Sequence, residues 1–267
     1  MKLTIVSTQR PNVAPFDMLQ RNALGSWQPI ADEIVFCRVI GRPSHYVGTS
    51  GHGHAVEVPG AGDLPSVVGM LDAGLRSGAD VIALTNADII MTYSVRVAAE
   101  FLHARFRGRP FCASMRRYDI DARHELPWST FTQTAKYEVI TQRYLKQADV
   151  VLHRPDGMDV FLVSRTWDWS MMHRDLVVGA PAWDNRLAAL AIARGLFIDL
   201  TPVAVIMHQN HTRNYDVALT ARNRTVGRVA RGTGRSLAHC THRVIRHAGR
   251  LDLRRARPAK MAKAKPR

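Results

Sequence analysis

Cysteine is scarce: Cys37, Cys112 and Cys240 are the three in 267 residues, far apart and without a Cys-x-x-Cys pair. That spacing excludes a disulfide framework and a cysteine-based zinc module, and predicts three reduced, buried thiols. Long apolar runs are also missing. A membrane-spanning helix needs roughly eighteen apolar residues or more. The nearest stretch, residues 187–207, is broken by Arg194 and Asp199 and reads as a soluble helix followed by a buried strand. The chain opens on an apolar strand rather than a charged-then-apolar leader, so a cytoplasmic protein is expected. No internal repeat is visible.

Acid is nearly absent from one end. Residues 221–267 hold 15 Lys/Arg against Asp252 alone, a net of +14, whereas residues 1–220 hold 22 Lys/Arg and 21 Asp/Glu, a net of +1. The whole-chain charge of +15 is therefore a property of the tail. A basic tail on a near-neutral body, with no recognised DNA or RNA motif, argues against a specific nucleic-acid partner. Two readings of the tail remain: a solvated disordered end, or a cluster drawn to anionic lipid, which would place the protein at the inner membrane face. The expected organisation is a body over 1–220 and a basic extension over 221–267, helical in part and disordered in Arg254–Arg267.

The body alternates strand and helix. Short Val/Ile/Phe-rich runs predict strands at Leu3–Ser7, Glu33–Val39, Ala55–Val58, Val81–Thr85, Phe111–Arg116, Val160–Ser164 and Val203–His208. Helical spacing predicts helices at Phe16–Trp27, Leu64–Arg76, Ser94–Arg107, Phe131–Lys146 and Asn185–Ala193. Gly41–Gly62 and Tyr118–Thr130 read as loops. Such alternation gives an α/β fold, a mainly parallel sheet sandwiched by helices, with ligands beyond the carboxyl ends of the strands.

Four motifs fall at those strand ends. Thr85-Asn86-Ala87-Asp88 follows an apolar strand; Asp88 could hold a divalent cation and Asn86 could lend its carbonyl oxygen or contact a sugar, or the pair could simply close a turn. Trp183-Asp184-Asn185 precedes a helix, so Asp184 is an N-cap, a general base, or both. His208-Gln209-Asn210-His211 ends a strand, and His208 could complete a mixed oxygen–nitrogen metal site. In Asp156-Gly157-Met158-Asp159, a glycine turn places Asp159 at a strand mouth, where it could bind sugar hydroxyls or face solvent.

In order and spacing these pieces resemble the GT-A glycosyltransferases of family 2, closest to a bacterial branch with an Asn-x-Asp motif. The resemblance runs over roughly residues 2–215. It rests on Asn86–Ile89, Gly157–Phe161, Trp183–Asn185 and His208–His211, with Gln20-Arg21-Asn22-Ala23 and Ser26-Trp27 near the start. It implies a GT-A-like fold. Asn86 and Asp88 would replace the usual Asp-x-Asp pair, Asp184 would be the catalytic base of an inverting enzyme, and His208 would join Asp88 on Mn²⁺ or Mg²⁺. Ser7 and Thr8 would meet the nucleotide, with Asn86 beside them; Asp159, Trp183 and Asn185 would meet the sugars. The implied partners are a nucleotide-sugar donor and a glycan or lipid-linked acceptor. The chain departs from the pattern at Asn86, which carries no charge, and at Cys37-Arg38-Val39, where an acid often contacts the nucleoside.

Other classes are a non-catalytic nucleotide-sugar-binding relative, and a nucleic-acid or anionic-surface binder acting through the tail. A sugar-nucleotidyltransferase would need a glycine-rich loop after the first strand, and Ser7–Asn12 reads STQRPN.

Overall fold

A computed structural model describes residues 1–8, 16–42, 53–122, 126, 150–212, 216–228 and 235–256. The expected helix Phe131–Lys146, most of the Tyr118–Thr130 loop, much of Gly41–Gly62 and residues 257–267 lie outside the described residues.

The elements run β1 (Leu3–Thr8), α1 (Phe16–Trp27), β2 (Glu33–Val39), β3 (Gly53–Val58), β4 (Gly60–Ala61), β5 (Leu64–Pro65), α2 (Val67–Arg76), β6 (Val81–Thr85), β7 (Ile89–Met91) and α3 (Tyr93–Phe106). There follow β8 (Cys112–Ser114), β9 (Arg117–Ile120), β10 (Val151–Leu152), β11 (Val160–Ser164), α4 (Trp183–Ala193), β12 (Phe197–Asp199), β13 (Ile206–Gln209), α5 (Val217–Val226), β14 (His242–His247) and β15 (Arg250–Arg255).

The main sheet has nine strands in the order β15-β14-β12-β8-β11-β6-β1-β2-β3. It is mainly parallel; β11 is antiparallel to both neighbours, and β15 to β14. Its central strands are buried on both sides, so they read as continuous apolar runs. Alternate residues feed two cores. Ile5, Ala83 and Leu162 face Trp27 of α1 and Ala99 and Leu102 of α3. Val6, Ile82, Leu84, Phe161 and Val163 face Met70 and Leu71 of α2 and Leu187 and Leu190 of α4. The period of two in the strands thus builds a helix–sheet–helix sandwich. Helix α2 begins where Ser66 Oγ accepts from Gly69 N at 3.0 Å.

A second sheet, β10-β9-β13-β7, has four short strands. It was not legible as a sheet in the sequence, where Arg117–Ile120 fell largely in an expected loop. His208 of β13 sits opposite Ile89 of β7 and opposite Asp119 of β9. Helix α1 locks this sheet to the end of β6. Trp27 Nε1 donates to Ile89 O at 2.8 Å and Ser26 Oγ accepts from Met91 N at 3.0 Å. Asn22 Nδ2 donates to Gln209 Oε1 at 2.9 Å, and Gln209 Nε2 donates to the carbonyl of Asp88 at 3.0 Å.

The described part of the basic segment departs from the expectation of helix. Helix α5 covers its start, but β14 and β15 form a hairpin that extends the main sheet through β12. Val244 is fully buried against the α1/α3 core, and Arg243 Nε pairs with Asp199 at 2.8 Å. Asn223 of α5 is also fully buried. It donates to the carbonyls of Val177, Ala180 and Pro181 at 2.9–3.0 Å and accepts from Val177 N at 2.9 Å. The three cysteines are free and buried, as expected; burial pushes the Cys37 thiol up to about 12. Among the described residues no helix is long and apolar enough to cross a membrane.

Candidate functional site

The carboxyl end of β6, the start of β11, the end of β13 and the N-terminus of α4 meet at one edge of the main sheet. Antiparallel β11 contributes because its first residue, Val160, lies opposite Thr85, the last of β6. A cleft of ≈ 320 Å³ opens there, lined by Asn86, Asp88, Asp159, Trp183, Asp184, Asn185 and His208 together with Arg117, His153, Gly157 and His211. Seven residues read from separate motifs are therefore brought together. Ser7 and Thr8 are not in this lining; both are buried, and Ser7 Oγ donates to Thr85 O at 3.0 Å.

Asp88, His208 and His211 each present a ligand atom, all within 4.8 Å of one another. Asp88 and His208 are 4% and 5% exposed. His211 Nε2 approaches Asp88 Oδ2 at 2.8 Å, and His208 Nε2 lies 4.0 Å from the same oxygen. The far side of each ring also faces an oxygen, hydrogen-bonded in His211 and only approached in His208. His211 Nδ1 is 2.9 Å from Thr212 O, so it carries the proton and donates. His208 Nδ1 faces Asp119 Oδ1 at 3.4 Å. An imidazole with its outer nitrogen held by a carbonyl or carboxylate, and its inner nitrogen turned to a shared carboxylate, is how metal-binding histidines are oriented. With Nδ1–H committed to Thr212, Nε2 meets Asp88 Oδ2 at 2.8 Å across a shared proton or a metal ion. The donor set fits a divalent cation. Two imidazoles and one carboxylate suit Mn²⁺ and other nitrogen-tolerant ions better than Mg²⁺, which prefers oxygen and keeps its waters.

Beside this group stands a charged cluster. Arg117 Nη1 pairs with Asp159 Oδ2, and Arg117 Nε lies 2.9 Å from Asp119 Oδ1. Asp159 Oδ1 accepts from Asn86 Nδ2 at 2.8 Å, and His153 Nδ1 meets Asp119 Oδ2 at 2.7 Å. Burial alone would raise the Asp119 carboxyl; the imidazoles of His208 and His153 and the Arg117 charge hold it well below the usual range. Burial likewise works against the Arg117 cation, but Asp159, Asp119 and Asp88 outweigh it. Both oxygens of Asp159 are thus occupied by protein, which fits it for holding Asn86 and Arg117. Among the described residues Asn86 Oδ1 is buried with no hydrogen-bond partner, which suits it to accept from a ligand. Gly157 is needed for proximity: a Cβ there would lie 2.1 Å from His153 Cδ2.

Asp184 stands at the second position of α4. The N-cap is Ala182, with no side-chain cap bond, so Asp184 does not cap the helix. Its carboxyl is pushed up to about 7, first by burial and then by the charge of Asp159. Trp183 belongs mainly to the core, 4% exposed, with its ring 5.6 Å from Phe161. Asn185 Nδ2 donates to Arg235 O at 3.1 Å.

Sequence reasoning missed Arg117, Asp119, His153 and the ligand geometry of His211. Arg117-x-Asp119 is a period-two pair that a strand delivers to one face, and that was the available signal.

No protein-family model matches the chain, and no curated protein matches it. Remote likenesses occur among solved structures. A CMP:2-keto-3-deoxy-manno-octonic acid synthetase complexed with CTP is 11% identical, with 85% of this chain and 97% of that one covered and a TM-score of 0.38. A Bacillus anthracis protein described as a glucose-1-phosphate thymidylyltransferase is 9% identical, with 87% and 98% covered and a TM-score of 0.42. The inositol-1-phosphate CTP transferase from T. maritima is 10% identical, with 88% and 98% covered and a TM-score of 0.39. Likeness this remote assigns the chain neither a family nor an activity. The expectation of a glycosyltransferase gains nothing from it.

Proposed function

We propose that the chain transfers a sugar from a nucleotide-sugar donor to a hydroxyl of a glycan or lipid-linked acceptor, with inversion. The observation that carries this reading is one cleft holding both an Asp88/His208/His211 ligand set and a carboxyl, Asp184, raised to about 7. Asp88, His208 and His211 would hold a divalent ion, Mn²⁺ in preference to Mg²⁺. When bound, such an ion supplies positive charge to a leaving diphosphate.

The chain's own residues divide the remaining work. Asp184 takes the proton from the acceptor hydroxyl as its oxygen attacks the anomeric carbon. A base whose pKa lies near working pH is about half ionised there and still a strong proton acceptor. Arg117 keeps its charge beside the cleft. Asp159 holds Asn86 and Arg117, and Asn86 Oδ1 is left to accept from a sugar hydroxyl. Trp183 fixes the first turn of α4 against Phe161 and so fixes Asp184; Asn185 is proposed to meet the acceptor. Ser7 and Thr8 remain proposed nucleotide contacts by resemblance, at the end of the strand next to β6.

Asp184→Asn is expected to fold normally and lose transfer by about 10²-fold or more, the usual scale for a general base. The assay is turnover across a panel of nucleotide-sugars with Mn²⁺. Unchanged turnover in the variant removes Asp184 from the mechanism.

A further inference from the structure

Beside the cleft lies a larger cavity of ≈ 760 Å³, of whose lining the proposed reaction uses Asn185 alone. It shares Arg154, Asp156, Pro181, Ala182 and Asn185 with the cleft, so the two are continuous across the N-terminus of α4. Its other walls come from the basic segment and include Arg224, Arg228, Arg235 and His239. Four arginines thus face one acid, Asp156, which Arg154 already approaches at 3.5 Å. Among the described residues no carboxylate pairs with Arg224, Arg228 or Arg235.

The cavity is built rather than an accident of loose arginines. Leu237 N donates to Pro155 O at 3.1 Å and Asn185 Nδ2 donates to Arg235 O at 3.1 Å, tying the basic wall to the opposite loop and to α4. Asn223 anchors α5, and hence Arg224, to the loop ending at Pro181. Gly227 lets α5 end against that loop, since a Cβ there would come within 3.3 Å of Ala182 O. The first turn of α4 lines the cavity through Asn185 and adds its positive dipole end.

The geometry points to a binding site for the phosphate or diphosphate group of a substrate, in a cavity continuous with the transfer cleft. Guanidinium groups suit phosphate oxygens through paired N–H donors, and a helix N-terminus adds to the same field. The inference rests on the proposed function only for what the neighbouring cleft does. The phosphate could belong to the acceptor, such as a phosphorylated lipid carrier, or to the donor's diphosphate.

The test is calorimetric titration of inorganic pyrophosphate into the full chain, stripped of divalent metal on a chelating resin. Wild type is expected to bind, more weakly as salt rises. The exposed triple variant Arg224→Ala/Arg228→Ala/Arg235→Ala is expected to keep its melting temperature and bind at least about tenfold more weakly. Absence of binding by wild type, or equal binding by the triple variant, overturns the site. A second titration with UDP, GDP and CDP in the presence of Mn²⁺ separates the sources. Unchanged affinity in the triple variant assigns the phosphate to the acceptor; parallel weakening assigns it to the donor. Mn²⁺ binding lost in Asp88→Ala tests the ligand set independently of either result.

Discussion

The Asp184 carboxyl gives the proposed base a pH signature of its own. Its pKa of about 7 when folded lies above an ordinary value of 3.8. The folded state therefore favours the protonated form. Stability is complete below about pH 4, falls as pH rises to about 7, and levels off above that. Asparagine cannot ionise, so Asp184→Asn should gain stability over wild type across that interval, by no more than about 4 kcal/mol. Melting temperatures of the two metal-stripped proteins should diverge from pH 4 to pH 7 and then run parallel; a constant difference would show that the carboxyl is not raised. Gly157→Ala should displace His153, because its Cβ would meet the ring at 2.1 Å, and should lower turnover more than it lowers the melting temperature. At this scale the sequence was informative where chemistry and strand ends coincide. Asn86, Asp88, Asp159, Asp184, Asn185 and His208 each followed or preceded an apolar run and each lines the cleft. His211 was harder to read, since it lies two residues beyond β13, where period two no longer tells where a side chain points.

Among the elements, α4 holds a local conflict that bears on the site. Its N-cap Ala182 has φ 82° and ψ −3°, a left-handed conformation that glycine adopts freely and alanine does not. Ala182→Gly should remove that strain and raise stability by about 1 kcal/mol or less, after the entropy glycine loses on folding; denaturant midpoints check this, and a lowered midpoint would show that the alanine methyl is worth more than the strain. Helix α1 has the opposite character: a polar stripe inside the fold. Asn22, Ser26 and Trp27 bond Gln209, Met91 and Ile89, so this helix sets where Asp88 sits. Asn22→Ala leaves Gln209 short of a buried partner and should cost about 1–3 kcal/mol, with weaker Mn²⁺ binding although Asn22 is not a ligand. Long apolar strands and α1, expected at Phe16–Trp27 and found there, were legible because burial on two faces, or helical spacing, left a continuous pattern. The four-stranded sheet was not, because strands of two to four residues with Arg and Asp at alternate places look like loop.

For the molecule as a whole, the basic segment is where composition misled. His242–His247 reads as charge and histidine, and its one fully buried side chain, Val244, gives too little signal for a strand. Charge hid the pattern: Val244, Leu251 and Leu253 share one face of the hairpin with Arg246 and Arg255, while the backbone extends the sheet. The described part of the segment supplies a sheet edge, a loop anchor at Asn223 and a wall of the larger cavity. Removal of residues 236–267 should therefore expose the edge of β12 and lower the melting temperature or the soluble yield, whereas a detachable tail would leave both unchanged. The account depends most on the Asp88/His208/His211 group being a metal site. The direct measurement is a Mn²⁺ titration followed by electron paramagnetic resonance on wild type and on Asp88→Ala, His208→Ala and His211→Ala. One Mn²⁺ bound per wild-type chain, with affinity reduced in all three variants, is the predicted result; the same affinity in wild type and variants, or no bound Mn²⁺ at all, would contradict it.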